Sequence, residues 1–169
     1  MLNKKFTVAI IGMGPRGLSV LERLCANHEE FKPDMDIIIH VVDPYLPGSG
    51  KVWRTDQSRH LLMNTVASQI TLFTDPSVEC IGPITPGPTL YEWAKFNVMT
   101  NSCDAYTPYV LEEAAKLTPN SYPTRAFYGY YLQWIYKYID SNKPDNYHIH
   151  FHRKNIVHCI QQRFAFGNR

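Results

Sequence analysis

Three glycines near the amino terminus stand at a spacing that can bind a dinucleotide. Gly12, Gly14 and Gly17 form the pattern G-x-G-x-x-G directly after the short apolar run 8–11. In this pattern the first glycine permits a tight turn, the second lets the backbone approach a pyrophosphate, and the third lets a helix pack closely on a strand. Free N–H groups and the positive end of the following helix then attract the phosphates.

The residues around these glycines fit the same interpretation. Pro15 suits a first helical turn, because that position needs no N–H. Arg16 stands at the predicted start of the helix, where it either contacts a phosphate or points into solvent. Leu18, Leu21 and Leu24 recur at helical spacing and predict an amphipathic helix after the glycine loop.

A second candidate position closes the next predicted strand. Residues 35–42 (MDIIIHVV) are continuous and β-branched, which is typical of a strand covered on both faces in a parallel sheet. Asp43 follows, 26 residues beyond Gly17, and an acidic residue there can accept both ribose hydroxyls of an adenosine. The alternative is a turn residue before Pro44. An aspartate rather than an arginine also disfavours a ribose 2′-phosphate at this position.

The rest of the chain divides into loop, helix and strand segments. Irregular structure is predicted over 44–59 and over the proline-rich segment 75–89, and two short extended pieces around a turn are predicted over 61–74. Helices are predicted over 90–98, 108–117 and 124–140, and a hairpin or two short strands over 147–161. The aromatic stripe of the third of these helices is more typical of core packing than of a cofactor site.

The overall composition describes one ordinary globular domain. The 169 residues are 44% hydrophobic and 19% charged with a net charge of +2, which gives no support for a nucleic-acid partner. Four scattered cysteines form no C-x-x-C pair, so neither a zinc site nor a redox dithiol is indicated, and a cytoplasmic location is expected. No stretch reaches the roughly 18 apolar residues of a membrane span, so no membrane partner is expected.

Three histidines could in principle bind a metal ion. His148, His150 and His152 alternate, so on one strand they share a face. No carboxylate or cysteine accompanies them at ligand spacing, so exposed polar positions are the simpler interpretation and no metal is predicted. No Ser-His-Asp set or pair of carboxylates suggests hydrolysis.

Several longer blocks make the chain resemble the amino-terminal half of a bacterial FAD/NAD(P)-binding protein family. The chain matches its G-x-G-P-R-G-L-S-x-L-E-R-L opening over 12–24, its G-x-G-x-V-W-R-T-D-Q block over 48–57 and its L-L-M-N-T-V-A-x-Q-x-T-x-F-T-D block over 61–75. Segments 87–94 and 122–134 look like two further motifs of the family, G-P-x-x-x-E-W-A and P-x-R-A-x-Y-G-x-Y-L-x-W. The family is more distantly similar to flavin-dependent N-hydroxylating monooxygenases.

The resemblance implies a fold and a cofactor. The fold would be α/β, a Rossmann-like three-layer FAD/NAD(P)-binding fold with a helical insertion after the second strand. The cofactor would be FAD, a dinucleotide bound by the first fold unit, with NAD(P)H binding elsewhere in a complete protein. The cofactor-binding residues expected from the glycine pattern and the resemblance together are Gly12, Gly14, Pro15, Arg16, Gly17, Asp43, Pro44, Trp53, Arg54, Asn64 and Thr65.

Alternatives remain open for the residues that the resemblance adds. Arg54 could counter the pyrophosphate charge and pair with Asp56, or its loop could simply be anchored by a buried Trp53. Asn64 and Thr65, together with Gln69, could hydrogen-bond the flavin edge or be satisfied core groups. Arg125 matches an arginine of the family before the aromatic helix, and it could equally be a surface residue of the first turn.

The chain departs from the family in its length. Members are several times longer, and here no second glycine-rich motif exists. Residues 1–169 are therefore expected to form one FAD/NAD(P)-binding domain that stops before the second nucleotide-binding motif, with a partner chain or a missing C-terminal region supplying the rest.

Three functions follow from these observations. The first is the FAD-binding domain of an NAD(P)H-dependent flavin oxidoreductase, of monooxygenase type. The second is a non-catalytic dinucleotide-binding module or remnant that acts with a partner. The third is an S-adenosylmethionine-dependent methyltransferase, whose glycine loop and acidic strand end look similar, but the Gly-Pro-Arg-Gly sequence and the downstream blocks disfavour it.

Overall fold

A parallel sheet of three strands forms the centre of the fold. The computed structural model describes residues 4–31, 34–100 and 107–158. Within them β1 (Lys5–Ile11), β2 (Asp36–Val42) and β3 (Tyr147–His152) lie in the order β1-β2-β3, and both neighbouring pairs are parallel. The β-branched run of β2 stands in the middle, as a strand with two hydrogen-bonded neighbours should.

Helices make both connections between the strands. After β1 come α1 (Pro15–Ala26) and the short α2 (His28–Phe31). After β2 come a single 3₁₀ turn (Ala67–Gln69), α3 (Leu90–Met99), α4 (Pro108–Lys116) and α5 (Arg125–Asn142). This arrangement confirms the α/β class and the helical insertion after the second strand.

Local capping explains where the helices of the insertion begin. At α3, the Thr89 hydroxyl accepts the Glu92 N–H at 3.2 Å, and the Glu92 carboxylate accepts the Thr89 N–H at 2.8 Å. At α5, the Thr124 hydroxyl accepts the Phe127 N–H at 3.1 Å. Side-chain caps of this kind satisfy N–H groups that have no partner inside the helix. The three helices predicted in this region are confirmed.

The core lies on one face of the sheet. Ile10, Ile39 and Val41 point from this face into the same buried cluster as Leu21 of α1 and Leu132 of α5. The opposite face is open among the described residues, and Ile11 is 59% exposed there. The insertion adds an aromatic layer, in which Trp93 of α3 packs on aromatic side chains of α5. The aromatic stripe therefore belongs mainly to the core, as expected.

Three segments differ from their predictions. The predicted hairpin over 147–161 is wrong for the described part, which forms one parallel strand (Tyr147–His152) followed by irregular chain to 158, and 159–161 lie outside the described residues. A parallel strand with one open face alternates just as a hairpin does. Segment 61–74 contains one bridge, Leu62 to Thr124, and the 3₁₀ turn instead of two extended pieces. Helix α2 lies in a segment for which no helix was predicted.

Candidate dinucleotide site

The glycine loop leaves β1 through a turn that needs its first glycine. Gly12 has a φ of 90°, a backbone conformation that L side chains rarely adopt. Its N–H donates to the Val42 carbonyl at 2.9 Å, so β1 and β2 stay paired up to the start of the loop. The next N–H, that of Met13, donates to Asp43 Oδ2 at 2.7 Å. The loop is therefore held in place by the end of β2.

The glycine loop is closely packed on its inner side, where Gly17 faces the rest of the chain, and open on its outer side, beside Gly12 and Gly14. A Cβ on Gly17 would lie 2.0 Å from the Gly12 carbonyl oxygen, so only glycine permits this approach of α1 to the loop. In contrast, a Cβ on Gly12 or on Gly14 would meet no described atom within 4 Å. The outer side of the loop thus has room for a ligand against bare backbone.

The start of α1 has the polarity that a phosphate needs. Gly14 is the N-cap and has no side chain to cap the helix, Pro15 occupies the first turn, and no acidic residue lies in that turn. The free N–H groups and the positive end of the helix dipole therefore remain uncompensated within the described chain. Arg16 is exposed at the same end. Together with the open outer side of the loop, these features fit the pyrophosphate of a dinucleotide.

The Asp43 side chain forms hydrogen bonds both to the glycine loop and to the turn in which Asp43 itself lies. The carboxylate is buried, with 6% exposure. Its Oδ2 accepts the Met13 N–H at 2.7 Å, and its Oδ1 accepts the Tyr45 N–H at 2.7 Å across Pro44. The bond to Tyr45 forms the strand-end turn that was the alternative interpretation of Asp43. The bond to Met13 was not predicted from the sequence. Binding of ribose hydroxyls by Asp43 stays a prediction.

A second pair of glycines closes on the first loop. The Gly48 N–H donates to the Met13 carbonyl at 2.7 Å, and a Cβ on Gly50 would lie 3.0 Å from the Gly14 Cα. Gly48 also lies so close to α5 that a Cβ would be 2.2 Å from the Leu132 carbonyl oxygen. Both glycines were predicted only to lie in an irregular segment and in a block of the family. The G-x-G spacing of 48–50 was the available signal for a close backbone contact.

The following loop is anchored on α5 by Trp53. The Trp53 ring meets the Tyr128 ring edge-on at 5.0 Å between centroids, and a Cβ on Gly129 would lie 2.0 Å from the Trp53 carbonyl oxygen. Arg54 is half exposed, and its Nε lies 3.1 Å from Asp56 Oδ1, the pairing that was expected. Trp53 therefore acts as an anchor, although it is only half-buried. A contact of Arg54 with a phosphate stays a prediction.

The polar residues of the third block face outward. Asn64 and Gln69 are exposed, Thr65 is half-buried, and none of the three side chains forms a hydrogen bond within the described part of the chain. They are therefore not satisfied core groups, and their contact with a flavin stays a prediction. Arg125 is more than a surface residue, because its Nε donates to the Leu62 carbonyl at 3.3 Å and its guanidinium carbon lies 5.6 Å from the centroid of the Trp53 ring.

The histidines gather on the open face of the sheet. His40 Nδ1 lies 2.9 Å from His152 Nε2, and the His40 and His150 rings stack at 5.4 Å. His148 Nε2 lies 3.5 Å from Asp36 Oδ1. No group of three His, Cys, Asp or Glu side chains in residues 4–31, 34–100 and 107–158 is arranged to hold a metal ion. His40 was not among the predicted residues, because it joins the other histidines only through the pairing of β2 with β3.

Comparison with known proteins places this geometry in a family. A family model described as FAD-NAD(P)-binding matches residues 9–165. The chain belongs to this FAD-NAD(P)-binding family, which confirms both the resemblance and the dinucleotide-binding class of the domain. The described residues contain no helix that is long and apolar enough to cross a membrane.

The similar curated proteins are much longer than this chain, and two of them are described as N-monooxygenases. The L-aspartate N-monooxygenase (nitrosuccinate-forming) of Streptomyces davaonensis is 52% identical over 99% of this chain and 26% of its own length. The enzyme of the same description from Streptomyces cremeus is 46% identical over 97% of this chain and 25% of its own length. A nitrosuccinic acid synthase of Aspergillus oryzae is 49% identical over 89% of this chain and 21% of its own length. The chain thus spans about a quarter of these relatives.

Proposed function

We propose that this chain is the FAD-binding unit of a flavin-dependent N-monooxygenase that oxidises the amino group of an amino acid. The observation that carries the proposal is the glycine loop, which has open space beside Gly12 and Gly14. It lies at the start of α1, where no side chain caps the helix and no acidic residue offsets its positive end. The descriptions of the relatives supply the reaction, since two of them are L-aspartate N-monooxygenases at 46–52% identity.

The chain's own residues would bind and orient the cofactor. Backbone N–H groups of the glycine loop and of the first turn of α1 would meet the pyrophosphate, and Arg16 and Arg54 would add positive charge beside it. Asp43 would hold the loop in shape through Met13, and any free lone pair of its carboxylate would be available to a ribose hydroxyl. FAD, when bound, supplies the redox chemistry that side chains cannot.

The remaining parts of the enzyme would lie outside these 169 residues. Because the chain spans about a quarter of its relatives, we assign NAD(P)H binding to a further region of the polypeptide or to a partner chain. Cys25 and Cys80 are free thiols, which is compatible with the reducing cytoplasm that we propose as the location.

Titration of the purified chain with FAD tests the cofactor assignment. We expect saturable binding of about one FAD per chain, which quenching of the flavin fluorescence would monitor. In calorimetric titrations of the same chain, NAD⁺ and S-adenosylmethionine should bind much more weakly than FAD. A chain that takes up no FAD would overturn the proposal. Preferred binding of S-adenosylmethionine would favour a methyltransferase, against which the family match argues.

A non-catalytic dinucleotide-binding module is the second candidate. It is favoured by the small share of the relatives that the chain covers. The module would bind FAD but oxidise no NAD(P)H, alone or with the rest of the enzyme. The measurement is NAD(P)H consumption by the FAD-loaded chain, first alone and then mixed with the part of a Streptomyces relative that this chain does not span. Turnover in the mixture would support the enzyme and exclude the inert module.

A further inference from the structure

A second pocket lies beyond the glycine loop, where the loop after Trp53 reaches the starts of α4 and α5. Its volume is about 360 Å³. Thr55, Gln57 and Arg59 line it from the loop, and Tyr109 and Tyr130 line it from the two helices. None of these five residues was assigned to the dinucleotide site. The volume is within the usual range of about 300–1,000 Å³ for small-molecule pockets.

The guanidinium of Arg59 is stacked on an aromatic ring in this pocket. Its central carbon lies 3.7 Å from the centroid of the Tyr109 ring. The ring is itself fixed, because the Tyr109 hydroxyl donates to the Glu113 carboxylate and lies 2.6 Å from the Thr124 hydroxyl oxygen. The other Glu113 oxygen accepts the Thr124 N–H at 2.8 Å. A stacked guanidinium on a fixed ring is oriented before any ligand arrives.

The N–H donors of Arg59 are unused within the described residues. No carboxylate there lies within 4.0 Å of its nitrogens, and its guanidinium donates to no described acceptor. The carboxylate of Glu112, on α4, already accepts a hydrogen bond from Lys116 at 2.6 Å. Stacking covers only the flat face of a guanidinium, so the edge that carries paired N–H groups remains available for a planar anion. A carboxylate fits that edge through two parallel hydrogen bonds.

We propose that this pocket binds the carboxylate of a small amino dicarboxylic acid, with Arg59 as its bidentate partner. The Thr55 hydroxyl would contribute a neutral hydrogen bond, and Pro108 and Ala126 would contact the carbon chain. The Gln57 amide nitrogen already donates to the Val52 and Arg54 carbonyls and so helps to fix the loop rather than the ligand. The choice of a dicarboxylate as substrate class rests on the proposed function. The Arg59 pocket as a site for a carboxylate rests on the stacking and on the unused donors alone.

The loop that carries Arg59 also joins the pocket to the dinucleotide site. Its earlier part contacts the glycine loop through Gly48 and Gly50, and Trp53 then anchors it on α5. Arg59 follows Gly50 by nine positions, which limits the distance between the two residues to about 30 Å even in a fully extended chain. Both sites thus depend on one anchored loop.

Binding of succinate to the purified chain tests this inference. Titrations of the 169-residue chain followed by NMR would use succinate, L-aspartate, the neutral analogue succinamide and inorganic phosphate. We expect saturable binding of succinate and L-aspartate, at least tenfold weaker binding of succinamide and phosphate, and roughly tenfold loss of succinate affinity in Arg59→Gln. Arg59→Lys keeps the charge without the paired donors and should be intermediate.

Lys137→Gln is the matched control, because it removes one exposed positive charge from α5 without releasing a described carboxylate. It should bind succinate as the unaltered chain does. Equal succinate binding by Arg59→Gln, or tighter binding of phosphate than of succinate, would overturn the inference. FAD titration of the same samples separates the two proposals: FAD uptake without succinate binding contradicts only the pocket, whereas succinate binding without FAD uptake contradicts only the proposed function.

Discussion

Gly14 and Gly17 have different surroundings in the folded chain, although both are glycines of the same motif. Gly17 has no room for a side chain, because a Cβ would lie 2.0 Å from the Gly12 carbonyl oxygen. Gly14 has ordinary extended backbone with a φ of −80° and open space around its Cβ position. Packing within the chain requires glycine at position 17, whereas a bound ligand would require it at position 14.

We therefore expect opposite results from two alanine variants. Gly17→Ala should lower the free energy of unfolding by about 1–3 kcal/mol, as overpacking against rigid backbone does. Gly14→Ala should lower the melting temperature much less, since alanine in place of glycine at an N-cap costs about 0.5–1 kcal/mol. It should weaken FAD binding by roughly tenfold or more, because its methyl group occupies the space of the pyrophosphate. Thermal unfolding and FAD titration of both variants measure the two effects. Normal FAD affinity in Gly14→Ala would show that the ligand does not approach this backbone.

A half-buried thiol provides a pH-dependent prediction at the same scale. Burial raises the pKa of Cys25 from 9.0 to about 12. The fold therefore favours the protonated thiol, and this stabilisation is fully present below pH 9, is reduced as the pH rises further, and is lost above about pH 12. At pH 8.5 we expect iodoacetamide to modify the exposed Cys80 much faster than Cys25 in the folded chain, as peptide mass spectrometry would show. Equal rates in folded protein would contradict the burial of Cys25.

At the scale of elements, one arginine ties the irregular proline-rich segment to α1. Arg23 Nη1 donates to the Pro83 carbonyl at 2.8 Å, and Nη2 donates to the Thr85 hydroxyl at 2.8 Å. The same guanidinium pairs with Glu22, which is only 5% exposed. Segment 75–89 is irregular, as its prolines predicted, and Arg23 holds part of it against the helix that begins at the glycine loop.

Removal of this tie should loosen the segment. In Arg23→Met, Glu22 keeps a buried charge without its partner, and we expect a loss of about 1.5–3 kcal/mol in unfolding free energy and faster proteolysis within 75–89. The double variant with Glu22→Gln should recover part of the stability, because the charge is gone, but not the protection of the segment. Limited proteolysis and chemical denaturation measure both. Unchanged cleavage in Arg23→Met would mean that other contacts hold the segment.

At the scale of the whole molecule, the sheet is covered on one face only within the described residues. Parallel sheets normally have both faces covered, and the first strand of a doubly wound sheet normally has a neighbour on each side. Here β1 lies at the edge of the described sheet, and Ile11 on the open face is 59% exposed. The relatives, of which the chain spans about a quarter, are long enough to contain a layer that covers such a face.

Fusion to the part of the Streptomyces davaonensis relative that this chain does not span should therefore stabilise the sheet. We expect a higher melting temperature and slower amide hydrogen exchange in β1 and β2 than in the chain alone, because burial of the open face adds apolar contact area. The control is a fusion to an unrelated domain of similar size. Exchange rates in β1 that match those of this control would contradict a covering layer on this face.

Local physics explains what the sequence predicted well. The turn at Gly12, the helix that starts at Pro15, the β-branched strand β2 and the helices capped by Thr89 and Thr124 all follow from backbone preferences and from partners within a few residues. The block resemblance then predicted the family, which the match over 9–165 confirms. The prediction of a hairpin from Tyr147 onward was wrong, because alternation of polar and apolar residues cannot distinguish a parallel strand from a hairpin.

The amino-acid sequence by itself determined the strand-loop-helix unit, the insertion and the dinucleotide-binding class. Only the tertiary structure decided which distant groups meet: Asp43 braces Met13 from 30 residues away, and His152 reaches His40 from 112 residues away. The stacking of Arg59 on Tyr109, which defines the second pocket, is of the same kind. No local preference encodes such pairs, because they form only when the whole chain has brought their segments together.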